Sequence, residues 1–222
     1  DVALLEANRL FSGTTGHTTA HLDALQTTLY TKLKMRSKKK AKLYYESQVE
    51  SIKEYEAIIN KHAIECDFKK EDSYILSDKL DCKLKKEAKA LKSFGADVTL
   101  YERGEKFIDK AAIKVPGMAS FDPLKFLASL PVNFDIYENT RVTSCDFKRK
   151  IVYAGEIEVK AEKIIIATNF PIVNFPGLYF LRMYKSTSYA AAVSRAKKLE
   201  GLYQDVSESG YTLRNLDDKA IV

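Results

Sequence analysis

The stretch Asp1-Val-Ala-Leu-Leu-Glu-Ala-Asn-Arg-Leu10, continuing through Phe11-Ser-Gly-Thr-Thr-Gly-His-Thr-Thr-Ala20, decides how the rest of the chain is read. A short apolar run closed by Glu6 reads as a β-strand over residues 2–6. It looks like the second strand of a dinucleotide-binding βαβ unit, whose terminal carboxylate hydrogen-bonds a ribose hydroxyl. On position alone the plainer reading is an exposed strand-end glutamate. The segment behind it shifts the balance. Ser12-Gly-Thr-Thr-Gly16 crowds two glycines and three hydroxyls into a tight run, and backbone N–H groups in such a turn suit a pyrophosphate or a flavin edge. A generic Gly/Thr loop is the alternative. The first strand and glycine-rich phosphate turn that should precede Glu6 are not in the sequence, so the fold reads as one that begins a strand and a helix late.

Working outward, a helix is expected to start near Thr18. A long one follows from about Lys38 to His62, where Ala41, Tyr45, Val49, Ile52, Tyr55 and Ile59 recur at three- and four-residue spacing. Ser73–Leu76 reads as a strand, then a Lys-rich helix runs from about Leu80 to Phe94 with Gly95 as its C′ residue. Strands are expected at Asp97–Glu102 and Ala111–Val115. Phe121-Asp-Pro-Leu-Lys125 then reads as a helix start, with an aspartate N-cap and proline at the first helical position. A β-rich stretch follows: Phe134–Glu138, Arg141–Phe147, Lys150–Tyr153, Glu156–Lys160 and Lys163–Ala167. The last contains Ile164-Ile-Ile-Ala-Thr168 and reads as a strand covered on both faces. Gly177–Lys185 and Ser188–Ser194 read as a hairpin, and Lys219–Val222 as a final strand.

The fold class is α/β with an α+β insertion. A partial dinucleotide-type domain is expected over 1–40 and 132–175. A mixed-sheet domain is expected over 41–131 and 176–215, and 216–222 as the start of a return to the first.

The 222 residues can bury a substantial core, and no apolar run reaches the roughly 20 residues that span a bilayer. Cys66, Cys82 and Cys145 are scattered and odd in number, which points to reduced thiols in a cytoplasmic setting rather than to a disulfide framework or a zinc site. Part of the net charge of +6 lies in one cluster, Lys32, Lys34, Arg36, Lys38, Lys39, Lys40 and Lys42. A nucleic-acid patch is one reading of it. A solvated loop and helix start is the favoured one, because no nucleic-acid motif accompanies the cluster.

The run "LLEANRLFSGTTGHTTAHL" resembles the second strand and flavin-contacting loop of the FAD-dependent D-amino-acid oxidase superfamily, which includes glycine and sarcosine oxidases and γ-glutamylputrescine oxidase-like enzymes. Three further stretches resemble it in the same order. Phe121-Asp-Pro-Leu-Lys125 is similar to a helix start in the family's substrate half. Tyr137-Glu-Asn-Thr-Arg-Val142 is similar to a strand on the adenine side, and Lys163-Ile-Ile-Ile-Ala-Thr168 to a strand under the cofactor. The resemblance implies a glutathione-reductase-type, Rossmann-like FAD domain beside a mixed-sheet substrate domain. Glu6 with Ala7 would meet the adenosine ribose. Thr14, Thr15, His17, Thr18 and Thr19 would line the pyrophosphate and isoalloxazine, Val142 the adenine region, and Ala167 and Thr168 the interior strand.

By the same resemblance the reaction is oxidation of the CH–NH group of an amino acid or amine, with FAD taking the hydride. The chain departs from the family pattern at its ends, at Asn169 where relatives carry glycine, and at Asp122 where many carry histidine. Impaired FAD binding by this polypeptide is therefore the expectation. The alternative is a non-catalytic remnant or subunit that associates with a second copy or another chain through exposed sheet edges. No membrane partner is expected.

Other residues carry less. His17 and His21 stand four apart, but no third ligand is evident for a metal. His62 suits a helix C-terminus. In the hairpin expected around Tyr179-Phe-Leu-Arg-Met-Tyr184, which the resemblance puts on the substrate side, Arg182 and Tyr184 could face a carboxylate or an amine. An ordinary packing hairpin is the plainer reading.

Overall fold

The computed structural model describes residues 1–103, 109–175, 177–194, 199–207, 210–216 and 219–222. The chain forms two compact units, one built from residues 1–16 and 132–189, the other from 17–131 and 190–222.

In the first unit, β1 (Ala3–Leu5) pairs in parallel with β6 (Asp135–Tyr137), Leu4 opposite Ile136. The pairing continues beyond the strand ends, since Glu6 N–H donates to the Tyr137 carbonyl at 2.9 Å and Thr140 N–H to the Glu6 carbonyl at 2.8 Å. A separate antiparallel meander joins β7 (Ser144–Asp146), β8 (Ile151–Ala154) and β9 (Ile157–Lys160). Its turns follow from the sequence. Asp146 Oδ1 accepts from the Lys148 and Arg149 N–H groups, an Asx-type turn, and Gly155 takes a positive φ between β8 and β9.

The second unit is a mixed sheet with helices on one face. Its strands are β2 (His21–Leu22), β3 (Lys69–Ser77), β4 (Thr99–Tyr101), β5 (Ala111–Ser120), β10 (Ala192–Ser194), β11 (Leu202–Asp205), β12 (Thr212–Leu216) and β13 (Lys219–Ile221). They run in the order β10-β13-β12-β11-β3-β5-β2, with β4 also paired to β5. Among the described pairs of this sheet only β3 and β11 are parallel. Strand alternation sorts the side chains cleanly. Ile75, Ile113, Val115 and Leu202 point into the main core, which they share with α1 (Leu29–Arg36), α2 (Lys38–His62) and α3 (Cys82–Lys92). A smaller core joins Ile59, Ile64 and Cys66 to Phe121 and to Phe126 of α4 (Pro123–Ser129).

Caps explain the helix limits. Ser37, Asp81 and Asp122 accept from backbone N–H groups at the starts of α2, α3 and α4. Helix α1 has no such cap of its own. The fully buried Glu87 of α3 supplies one from outside, accepting from Tyr30 N–H and Thr31 N–H at 2.8 Å each and from the Thr31 hydroxyl.

Several expectations change. The helix expected near Thr18 is instead the short strand β2, because His21 and Leu22 complete the edge of β5. The strand expected over Lys163–Ala167 is not formed: no described strand pairs with it, and Ile165 is 88% exposed. The hairpin expected over 177–194 is also replaced. Tyr179–Leu181 makes a single 3-10 turn, and Ala192–Ser194 pairs with β13, which offers it a complete antiparallel ladder. The first boundary falls at residue 16 rather than 40, since Leu25 and Tyr30 belong to the second unit's core. Lys219–Ile221 pairs with β12 and stays in that same sheet instead of leaving it.

Candidate functional site

The sequence-predicted residues divide between the units. Glu6, Ala7, Thr14, Thr15, Val142, Ala167, Thr168, Arg182 and Tyr184 lie in the first, and His17, Thr18 and Thr19 in the second. In the first unit Glu6 sits where β1 ends, and its Oε1 accepts from Asn8 N–H at 2.9 Å. No other described residue donates to that carboxylate, which leaves acceptor capacity for hydroxyl donors such as those of a ribose. The following loop carries Thr14 and Thr15 on a 3-10 turn, and a Cβ placed on Gly13 would meet nothing within 4 Å. This donor and acceptor set fits the ribose and phosphate portions of a dinucleotide. Val142 and Ala7 are half-buried, whereas Ala167, Thr168, Arg182 and Tyr184 are exposed.

In the second unit, the sheet face turned away from the helices is where chemistry-bearing side chains collect. Tyr74 of β3 and Tyr203 of β11, opposite one another in register, stack with centroids 4.9 Å apart and planes within 14°. Lys114 of β5, opposite Tyr74, places its ammonium 5.8 Å from that ring and 2.6 Å from Asp72 Oδ2. The hydrogen bond to Asp72 raises the Lys114 pKa above its ordinary value despite the cost of burial, so it is a permanent cation. Farther along the face, Lys110 bridges Asp78 at 2.9 Å and the buried Asp205, and lies 5.5 Å from the Tyr211 ring. Burial opposes ionisation of Asp205, but Lys110 and Ser207 outweigh it and hold its pKa low. Leu76, Ala112, Tyr101 and Leu213 supply the apolar floor.

Sequence reasoning missed this face. The signal is present as alternation, since Tyr74-x-Leu76 and Ala112-x-Lys114 each put two side chains on one side of a strand. Which side, and against which partners, required the pairing of β3 with β5 and β11.

On the helix side the half-buried Asp23 sits among buried polar partners. Asp23 Oδ2 accepts from the Ser73 hydroxyl and from Gln204 Nε2 (2.7 Å), and Oδ1 from Leu25 N–H at 2.7 Å. Burial without a cation pushes its pKa up to about 6, against the pull of those hydrogen bonds. Because the folded-state pKa is the higher one, Asp23 favours the folded state most when protonated. Its contribution falls as pH rises from about 4 to about 6, by about 2–3 kcal/mol. Thermal unfolding between pH 4 and 7 is expected to show that loss, and Asp23→Asn to flatten it relative to the parent chain.

Arg214 of β12 is buried as well. Its guanidinium donates to the Thr19 carbonyl and, at 3.4 Å, to the Phe121 carbonyl, tying distant strands of the curled sheet together. His21, beside it, has its pKa lowered to about 4 by burial and by the Arg214 charge, so the imidazole is neutral. Its Nε2 has no partner among the described residues. With His21 on a strand and His17 exposed on the segment before it, the two do not share a helical face. No group of three metal-type ligands occurs among the described residues.

In the first unit, a strand-end carboxylate and a hydroxyl-rich loop are compatible with nucleotide binding. The family model described as FAD dependent oxidoreductase (DAO) matches residues 1–222, and the chain belongs to that family. A Bacillus subtilis (strain 168) protein, the putative Rieske 2Fe-2S iron-sulfur protein YhfW, is 29% identical over 96% of this chain and 44% of its own length. Among solved structures, glycine oxidase from Geobacillus kaustophilus superposes with a TM-score of 0.68 at 15% identity, covering 99% of this chain and 63% of that one. L-amino acid deaminase from Proteus myxofaciens gives a TM-score of 0.68 at 13% identity, covering 100% and 52%. The chain thus spans about half to two thirds of the proteins it resembles.

Proposed function

We propose that this chain forms part of an FAD-dependent oxidoreductase acting on the CH–NH group of an amino acid or amine. The observation that carries this reading is the sheet face on which the half-buried Tyr74 and Lys114 stand beside the buried Tyr203. A small amino acid has an anionic end and an apolar body, and this face offers a fixed cation beside two stacked rings. Lys114 keeps its proton, so it would bind a carboxylate and hold the substrate in register rather than accept a proton from the amine. Bound FAD supplies the hydride acceptor. Glu6 with Ala7 would hold the ribose, and Thr14 and Thr15 the phosphates. His17, Thr18 and Thr19 would supply further polar contacts, and Val142, Ala167 and Thr168 backbone contacts. The family match, the fold of the glycine oxidase and the spare acceptor capacity of Glu6 support this assignment.

Flavin fluorescence anisotropy tests the cofactor part. Titration of the chain into FAD is expected to give a weak but saturable rise, in keeping with impaired binding, with Glu6→Ala weakening it about tenfold further, the size of one hydrogen bond to a charged group. No flavin signal at high protein concentration would sink it. In the FAD-loaded protein, Lys114→Met is expected to raise KM for amino acids far more than for amines lacking a carboxylate. Equal effects on both would remove Lys114 from substrate binding.

A second reading, association through the first unit with a copy or another chain, draws on a specific observation. Ile165, Phe175, Leu181, Tyr184 and Tyr189 are each more than 70% exposed within one stretch of sequence. Exposed apolar residues gathered into one contiguous surface would mark an interaction site. Light scattering at rising concentration should show assembly, and a constant monomer mass would count against it.

A further inference from the structure

From the corner between α1 and α2, we infer a docking surface for anionic lipid bilayers, a role separate from flavin chemistry. Residues 24–45 carry seven lysines and arginines and no acidic residue, against a whole-chain net charge of +6. The rest of the chain is therefore close to neutral in sum, although the Lys-rich α3 is a second local concentration of positive charge.

The charge is placed where it opposes folding. Ser37 caps α2 through its hydroxyl, and Lys38, Lys39 and Lys40 occupy the first turn of that helix, with no acidic residue among them. The helix dipole favours carboxylates there and disfavours cations. A sequence selected only for stability would not hold three consecutive lysines at this point, and a local rule broken without local compensation is a mark of function. Lys32, Arg36, Lys38, Lys39 and Lys40 have no carboxylate within ion-pair distance among the described residues, while Lys42 meets Glu46 at 3.4 Å.

Two large apolar side chains next to these cations in sequence face solvent, Met35 near the end of α1 and Leu43 in α2. Met35 is 84% exposed and Leu43 is 64% exposed. By their spacing of three and four Lys32, Met35 and Arg36 share a face of α1, and Lys39, Lys42 and Leu43 share a face of α2, with the extended Ser37 between the two helices. Cations flanking solvent-facing Met and Leu suit a bilayer surface, where phosphate headgroups meet the charges and the apolar tips enter the acyl boundary. Single-stranded nucleic acid would call for an open aromatic platform. Tyr44, the nearest exposed ring, is committed to Tyr30 at a centroid distance of 6.0 Å. No described helix is long and apolar enough to cross a membrane, so the contact is one of surface association. The charge run alone reads as a solvated helix start, and the exposure of Met35 and Leu43 is what changes its meaning.

Co-sedimentation of the 222-residue chain with vesicles tests this, comparing phosphatidylcholine alone with phosphatidylcholine containing 30% phosphatidylserine, at low and high salt. Salt-sensitive binding to the anionic vesicles only is expected. Replacing Lys38, Lys39 and Lys40 together by alanine should weaken binding by roughly 100-fold while raising the thermal midpoint, a combination that misfolding cannot produce. Met35→Ser with Leu43→Ser should weaken binding at every salt concentration. Equal binding to neutral vesicles, no binding to either, or indifference to the Met35 and Leu43 changes would overturn the proposal. So would retention on single-stranded RNA under conditions where the anionic vesicles are ignored.

Discussion

Replacing Glu87 by alanine is expected to destabilise the second unit by about 3–5 kcal/mol. The carboxylate is fully buried on α3 and accepts from the backbone of Tyr30 and Thr31, at the uncapped start of α1. Alanine would strand both N–H groups in a site water cannot reach, and each buried orphan costs about 1–3 kcal/mol. Loss of the side chain's packing adds to this. Glu87→Gln keeps the shape but sets an NH2 group against one of the two N–H donors, so a loss of about 2–3 kcal/mol is expected from it. Urea unfolding followed by circular dichroism measures both. A shift below about 1 kcal/mol for the alanine variant would mean that α1 is held by packing alone.

Gly201→Ala is expected to cost about 3 kcal/mol or more. Gly201 has φ +120°, and a Cβ there would lie 2.7 Å from the Asp72 carbonyl oxygen and 2.7 Å from the Tyr74 ring. The ring could swing away, but the carbonyl belongs to the backbone beside the β3 bulge and cannot yield cheaply. The substitution should therefore strike two things together, the parallel pairing of β3 with β11 and the Tyr74–Tyr203 stack. The chain has 13 tyrosines and no tryptophan, so near-ultraviolet circular dichroism reports tyrosine packing directly. A lowered midpoint with a reduced tyrosine signal is expected. An unchanged spectrum would show that the backbone at 201 has room the geometry does not suggest.

Local chemistry makes much of the fold legible in the order of residues alone. The apolar stripe from Ala41 to Ile59 sets the limits of α2, and Asp122 before Pro123 sets the start of α4, because cap and proline act within one helical turn. The core of each strand from Ser73–Leu76 to Glu156–Lys160 is likewise readable from alternation. Helix α1 is not, since its cap is Glu87, 57 residues away, and no sequence window contains both partners. The strand expected at Lys163–Ala167 fails for the opposite reason. Its β-branched run states a preference, but a strand exists only with a neighbour to pair with, and no described segment supplies one.

The candidate site divides along the same line. Glu6 and the run from Ser12 to Ala20 stand close together in sequence, so the flavin-type reading needs nothing else. By itself, then, the sequence determined the family character of this chain, the long helices and their caps, and the strand-end carboxylate. Only the tertiary structure decided which sheet face carries Lys114, Tyr74 and Tyr203, and that Ala192–Ser194 joins β13 rather than a hairpin. It also decided that Met35 and Leu43, next to the lysines of α2 in sequence, face solvent. The physical reason is range: caps and periodicity act over a few residues, whereas strand pairing and burial are settled by partners brought in from far along the chain.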